Sequence, residues 1–312
     1  MDKYLILINK YNLLDEDTIN KIYDGVIEAN EGGIEYDGSL HRSEKLNGEV
    51  LSNFNQLRDE LSKKGYNFFA ESGFRGYNDQ INLWFSRMII ASIDEYGHPL
   101  IKPAKYLVER LIAHLCIDDY PNWYKGNPIK KLEGILSVIG RTTEYDLENV
   151  RKKVEIEAAP PGASEHHLGM TFDIGLIDEN GKNCDLTKPQ YLKAAHDFIN
   201  LAPDYGFILR YPNGKNVFTG CKEEIWHYRY VGNPEIAHDI MDNGLTLEEY
   251  HIAHTIMNNQ ELFEQLENGN LNYDILIPII GEDATKMIKQ NPDLLNDVRN
   301  YIKLKYENSK TR

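Results

Sequence analysis

Apolar positions along this chain change period several times, and each change marks an element. Residues 3–9 alternate weakly and are rich in Leu and Ile, which predicts a strand. Over 15–30, Ile19, Ile22, Tyr23 and Val26 fall at helical spacing behind a candidate cap, Asp15 or Asp17, and predict a helix. The stretch 31–47 is polar and contains glycine, so it reads as loop. Val50, Leu51, Phe54, Leu57 and Leu61 predict an amphipathic helix over 48–65, with Gly65 where a C-terminal cap belongs. Residues 66–71, YNFFAE, predict a strand that delivers SGFRGYNDQ, residues 72–80. A further helix follows over 79–96, marked by Ile81, Leu83, Trp84, Met88, Ile89 and Ile93.

The region 97–153 reads as a helical insert that covers or flanks a site. Its helices are expected at 103–116 and 129–139, joined by the turn-rich DDYPNWYKGNP around Trp123. Pro160-Pro161-Gly162 then forces a rigid turn. After Gly169, Met170, Phe172, Ile174 and Leu176 face one side of a strand, and Thr171, Asp173 and Gly175 the other. A helix is expected over 186–200 and a strand over 205–211. The Asn213-Gly214 pair predicts a hairpin turn into the following segment. The aromatic content of EIWHYRY predicts a strand there. The tail is mostly helical, over 247–266 and 284–306, and Thr246 with Glu249 forms a capping-box pair.

Composition narrows the class. With 312 residues, 41% of them hydrophobic, the chain can build one large core or two ordinary ones. A net charge of −15, from 49 acidic and 34 basic residues, argues against a nucleic-acid partner. Cys116, Cys184 and Cys221 are scattered and form neither a disulfide framework nor a metal knuckle. The run Tyr4 to Ile8 is too short for a signal-peptide core, and no window nears the ~20 apolar residues of a spanning helix. The expectation is a chain without a membrane span acting in the cytoplasm, with action at the cell wall after trimming of an export signal, or by another export route, as the alternative.

Chemistry concentrates in two segments. PPGASEHHLGMTFDIG, residues 160–175, offers His166 and Asp173; EIWHYRYVG, residues 224–232, adds Glu224 and His227. One His and one Asp at that first spacing also fit an ordinary loop. Taken together, two histidines and a carboxylate suit Zn²⁺, and three protein ligands leave the open position of a catalytic site. Glu224 is then the candidate general base. Glu224 and His227, three apart, would lie on opposite faces of a regular strand, so Glu224 is expected at the strand entry. Arg75, flanked by glycines after a strand, has the planar fork that matches a carboxylate or oxyanion. On its own such an arginine is more often an ordinary surface ion pair. His98, His114, His196, His238, His251 and His254 read as structural; no carboxylate completes an HExxH pattern in the tail.

These pieces together resemble the VanY-type D-alanyl-D-alanine carboxypeptidase family, the VanY/VanX-like peptidases. Ser164-Glu165-His166 through Gly169 to Asp173 is similar to its SxHxxGxxxD motif, Glu224-Ile225-Trp226-His227 to its ExWH, and Ser72-Gly73-Phe74-Arg75 with Gln80 to its SGxRxxxxQ. The run WHYRYVG and the later GLTLEEY are also similar to members. The resemblance covers roughly residues 3–250, departs at Thr171, and leaves the insert 97–153 longer than usual. The tail 251–312 has no recognised counterpart and is expected to be a helical extension. It implies an α+β fold, a small antiparallel sheet flanked by helices around a hedgehog-like zinc site. It implies one catalytic Zn²⁺ on His166, Asp173 and His227, Glu224 as base and Arg75 as transition-state support. Ser72, Gln80 and Ser164 would hydrogen-bond substrate. The implied substrate is a peptidoglycan stem peptide or precursor ending in D-Ala-D-Ala. L,D-carboxypeptidase or phage-type endopeptidase activity, or a non-catalytic binding relative, are the alternatives.

Overall fold

The computed structural model describes residues 3–30, 32–97, 102–116 and 147–310. Helices α1 (Glu16–Tyr23), α2 (Gly48–Ser62), α3 (Tyr77–Tyr96), α4 (Lys105–Cys116) and α5 (Leu147–Val154) belong to the first half. The second half holds α6 (Leu192–Leu201), the single turn α7 (Asn216–Thr219), α8 (Pro234–Asp242), α9 (Leu247–Met257), α10 (Gln260–Glu267), α11 (Ile277–Gln290) and α12 (Asn296–Lys310). The strands are β1 (Val26–Glu28), β2 (Ile34–Tyr36), β3 (Ser39–His41), β4 (Lys45–Asn47), β5 (Asn67–Ser72), β6 (Thr171–Ile177), β7 (Phe207–Leu209) and β8 (His227–Tyr230). The main sheet is antiparallel throughout, in the order β5-β6-β8-β7. The fold is therefore the expected α+β arrangement, a small antiparallel sheet flanked by helices. No helix among the described residues is long and apolar enough to cross a membrane.

Alternation in β6 works as the sequence predicts. Phe172 and Ile174 enter a core with Phe54 and Leu57 of α2, Phe68 of β5 and Phe198 of α6. Asp173 is left on the opposite face. A second cluster runs from Ile208, Phe218 and Val231 through Ile252 and Ile256 to Leu295 and Ile302. The tail helices thus pack continuously against the far end of the sheet. A third cluster joins α3 to α5 through Trp84, Phe85, Ile89, Val150 and Val154.

Several expectations give way to tertiary contacts. Residues 3–9 form no strand: Lys3–Leu5 is a 3₁₀ turn, because the Tyr4 and Ile6 carbonyls accept from the buried Arg229 guanidinium, each at 2.9 Å. The predicted helix over 15–30 stops at Tyr23, and Val26–Glu28 pairs with Lys45–Asn47 instead. Asp15 does cap it, its Oδ1 accepting from the Thr18 amide at 2.7 Å. The expected loop 31–47 contains the hairpin β2–β3, turned by Asp37 and Gly38 with φ of 51° and 71°. That pair carries the Asp-Gly signature of a two-residue hairpin.

β7 and β8 do pair, but not through a tight Asn-Gly hairpin. Residues 210–226 intervene, and α7 buries Phe218 while Lys215 reaches Glu249 and Asp297, both at 2.7 Å. The tail breaks at Asn259, which caps α10 with its side chain, so 247–266 is two helices. The helix predicted over 284–306 is likewise two, α11 and α12, separated by the 3₁₀ turn Pro292–Leu295. Within the insert, the Trp123 connection, the helix expected over 129–139 and His98 lie outside the described residues.

Candidate metal centre

Strand pairing assembles the centre. Asp173 of β6 lies directly opposite His227, the first residue of β8. On the other flank the β5–β6 register shifts between Ala70 and Ser72, leaving Glu71 unpaired and setting Ser72 opposite Asp173. Such a bulge re-aims the side chains that follow it, and the segment leading to Arg75 leaves the sheet from there. His166 comes from the 3₁₀ turn Glu165–Leu168 just before β6. Gly169 ends that turn at φ 62°, where a Cβ would meet Val26 Cγ1 at 2.6 Å. Only glycine fits that reversal.

The ligand atoms of His166, Asp173 and His227 lie within 4.8 Å of one another. His166 Nδ1 is 2.7 Å from the Gly73 carbonyl, to which it donates, and this leaves Nε2 facing Asp173 Oδ2 at 3.5 Å. His227 presents Nδ1, 2.8 Å from Asp173 Oδ1 and 3.5 Å from Glu224 Oε2. The two rings stand at 89° with centroids 5.0 Å apart. Two imidazole nitrogens and a carboxylate oxygen converging this way fit Zn²⁺ with a fourth position open.

Electrostatics shift the donors in different directions. Burial, helped by the Arg75 charge, pushes His166 down to about 3, so its imidazole is neutral. Burial works to lower His227 too, but the Asp173 hydrogen bond and charge, with Glu224 behind them, hold it above its ordinary value. Burial works to raise Asp173, yet His166, His227 and Arg75 hold it below the usual carboxylate range. Glu224 moves the other way: burial raises it and the Asp173 charge adds, against the pull of His227 and Arg75.

Glu224 sits at the strand entry, as expected, outside β8. Its amide donates to the Tyr211 carbonyl at 3.0 Å, and its carbonyl accepts from the His227 amide at 3.2 Å. That turn removes the opposite-face problem posed by the spacing of three. Arg75 is largely desolvated; its Nη1 donates to Gln80 Oε1 and its Nη2 to Ser72 Oγ, both at 2.9 Å. Ser72 and Gln80 therefore aim Arg75 in this structure, and Gln80 also donates to the Ala159 carbonyl. Ser164 is buried and accepts through its carbonyl from the His167 amide.

Two residues of the first motif do more than sequence reasoning assigned them. His167 Nε2 accepts from the Gly162 amide at 3.1 Å, and its Nδ1 donates to the Arg75 carbonyl at 2.7 Å. It locks the Pro-Pro-Gly turn to the arginine loop. Glu165 is fully buried against Arg210 at 2.9 Å and Arg229 at 3.1 Å. No periodicity signals either role, because Arg75, Arg210 and Arg229 come from distant segments. The tail histidines are structural where described: His251 Nε2 lies 2.8 Å from the Leu5 carbonyl, and His238 sits between Asp204 and Asp242.

The chain is similar to several known proteins. A bifunctional D-Ala-D-Ala dipeptidase and carboxypeptidase, VanXYC of Enterococcus gallinarum, is 41% identical over 121 residues, 37% of this chain and 62% of that protein. The putative carboxypeptidase YodJ of Bacillus subtilis (strain 168) is 40% identical over 108 residues, 34% of this chain and 38% of that protein. The match thus spans less than two thirds of either relative's length. Among solved structures, a VanY D,D-pentapeptidase variant from a VanB-type resistance cassette, in complex with Zn(II), aligns with TM-score 0.48 and 22% identity over 79% of this chain and 98% of that one. VanYB in complex with D-alanine-D-alanine aligns with TM-score 0.47 and 23% identity, over 79% and 96%. The model of the VanY D-alanyl-D-alanine carboxypeptidase family matches residues 43–233, well over half of the 312, and the chain belongs to that family.

Proposed function

We propose that this chain is a zinc-dependent D-alanyl-D-alanine carboxypeptidase acting on peptidoglycan precursors or stem peptides. The observation that carries the reading is the convergence of His166 Nε2, Asp173 and His227 Nδ1, with the Glu224 carboxylate beside them. His166, Asp173 and His227 would hold one Zn²⁺. Bound zinc supplies Lewis-acid polarisation of a scissile carbonyl and lowers the pKa of water from 15.7 to about 7.

The remaining chemistry belongs to the protein. Glu224, buried and raised, takes a proton from the attacking water and returns it to the leaving amine. Arg75, fixed by Ser72 and Gln80, offers its cationic fork to the substrate carboxylate or to the developing oxyanion. Its partial desolvation strengthens that interaction, because charges attract more strongly away from water. Ser164, next to the ligand turn, is assigned to substrate hydrogen bonding.

The test is mass spectrometry of products from the zinc-loaded protein. A muramyl pentapeptide ending in D-Ala-D-Ala, the tetrapeptide and the free dipeptide are offered in parallel, with a chelated control. Loss of one alanine from the pentapeptide is the expected result. Cleavage of the tetrapeptide alone would move the activity to the L,D class. Cleavage of none of them with zinc bound would overturn the carboxypeptidase reading.

A further inference from the structure

Glu165 precedes His166, and its side chain is wholly buried. Its Oε1 accepts from Arg210 Nε at 2.9 Å and lies 3.1 Å from Arg229 Nη1, while Oε2 has no hydrogen-bond partner. His227 Nε2 is a buried polar atom in the same state, as is Arg229 Nη1. His227 and Arg229 are two apart on β8 and so share a face. Glu165 is held against that face, and its charge and that of His227 act on one another. The other ring nitrogen, Nδ1, already faces Asp173 and Glu224. Polar atoms left unsatisfied in a buried region are costly, and a water between them would satisfy both.

We propose that Glu165 is a positioning residue for His227: its Oε2 receives the Nε2–H of the imidazole through one water, and so fixes the tautomer that leaves the Nδ1 lone pair for zinc. A ligating histidine needs such a partner on its outer nitrogen to set ring orientation and basicity. The carboxylate is itself oriented from both ends of the chain. Glu248 of α9 clamps Arg210 with two bonds of 2.9 and 2.6 Å, and Arg229 is tied to the Tyr4 and Ile6 carbonyls. The orientation of one metal ligand is thereby set from helix α9 and from the N-terminal turn.

The inference rests on the zinc reading, and the experiment separates the two. Nitrogen-15 NMR of histidine-labelled, zinc-loaded wild-type protein should place the His227 proton on Nε2; a proton on Nδ1 would overturn the proposal. Glu165→Gln keeps the shape and removes the charge. It should weaken zinc binding roughly 10–100-fold in chelator competition and shift the absorption bands of the cobalt-substituted protein. Unchanged affinity and unchanged bands in a folded variant would also overturn it. Should that variant not fold, Glu248→Gln leaves Glu165 in place and loosens Arg210. A smaller loss of zinc affinity with a band shift is then expected, and no change in either counts against the proposal. A wild-type chain that takes up no zinc at all would overturn the zinc reading itself, and this inference with it.

Discussion

Two polar clusters share the strands of this sheet and differ in how their charges close. One is Glu165, Arg210, Arg229 and Glu248, two carboxylates and two guanidiniums at 0–1% exposure. The other is His166, Asp173, His227 and Glu224, with Arg75 bonded to neutral partners at its edge. They interleave in sequence, Glu165 beside His166 and Arg229 two beyond His227. In the first cluster every charge meets an opposite one, although Glu165 Oε2 and Arg229 Nη1 are left without a hydrogen bond. In the second, two carboxylates and two imidazoles point into one small volume with one cation, Arg75, at the edge, so negative charge is in excess. Residue type does not separate structural from chemical clusters here. The sign of the unmatched remainder does.

The contrast can be tested from the largest effect downward. His227→Ala should strip the metal and abolish hydrolysis, and Glu224→Ala should keep the metal while lowering kcat roughly 10²–10⁴-fold. Elemental analysis beside steady-state kinetics reads both, and a fully active Glu224→Ala would remove that residue from the role of base. Neither change should greatly lower stability. Arg210→Ala should do the reverse in kind, destabilising the fold by about 3–5 kcal/mol through an uncompensated buried charge. Urea titration measures it, and a loss below 1 kcal/mol would mean that the cluster relaxes.

The two glutamates should also part company in acid. Burial works to raise Glu165, but Arg210 and Arg229 hold it below its ordinary value, so its contribution to stability is complete above about pH 4.3. That contribution disappears only as the pH falls through the lowered folded value. Glu224 is shifted upward by burial, so the acid limb of kcat/KM should lie above the ordinary carboxylate range. Activity should therefore fall while near-ultraviolet circular dichroism still reports a packed core. Coincident loss of both would merge the clusters into one unit. The smallest effect belongs to Thr246→Ala, which removes the cap of the helix that carries Glu248. About 1 kcal/mol of stability should go, with kcat unchanged; a larger kinetic effect would tie the cap to the centre.

Much of this was legible in the sequence wherever local rules decide. Alternation in Met170–Leu176 placed Asp173 outside the core, and the spacing of three between Glu224 and His227 put Glu224 at the strand entry. Helical spacing identified Val50, Phe54, Leu57 and Leu61 as the buried face of α2. What failed depended on remote partners. The N-terminal apolar run gave up a strand because Arg229, more than 220 residues away, takes its carbonyls. Val26 left the predicted helix because Asn47 and its neighbours offer a strand to pair with. Glu165 and His167 looked like flanking residues of a motif, and their partners lie on other elements. The Asp37-Gly38 hairpin was there to be read, since its turn chemistry is local.

The bulge at Glu71 separates two kinds of genetic change. The unpaired residue advances β5 by one position against β6, so that Ala70 and Ser72, two apart, turn to opposite faces. At this position the count of residues sets the register, while the side chain accepts a hydrogen bond from Asn183. Substitutions of Glu71 leave the register in place. Inserting one more residue between Phe68 and Ser72 acts on the sheet as a frameshift acts on a message. It would turn Ser72 away from Asp173 and carry Arg75 with it, while leaving every residue of the centre in the sequence.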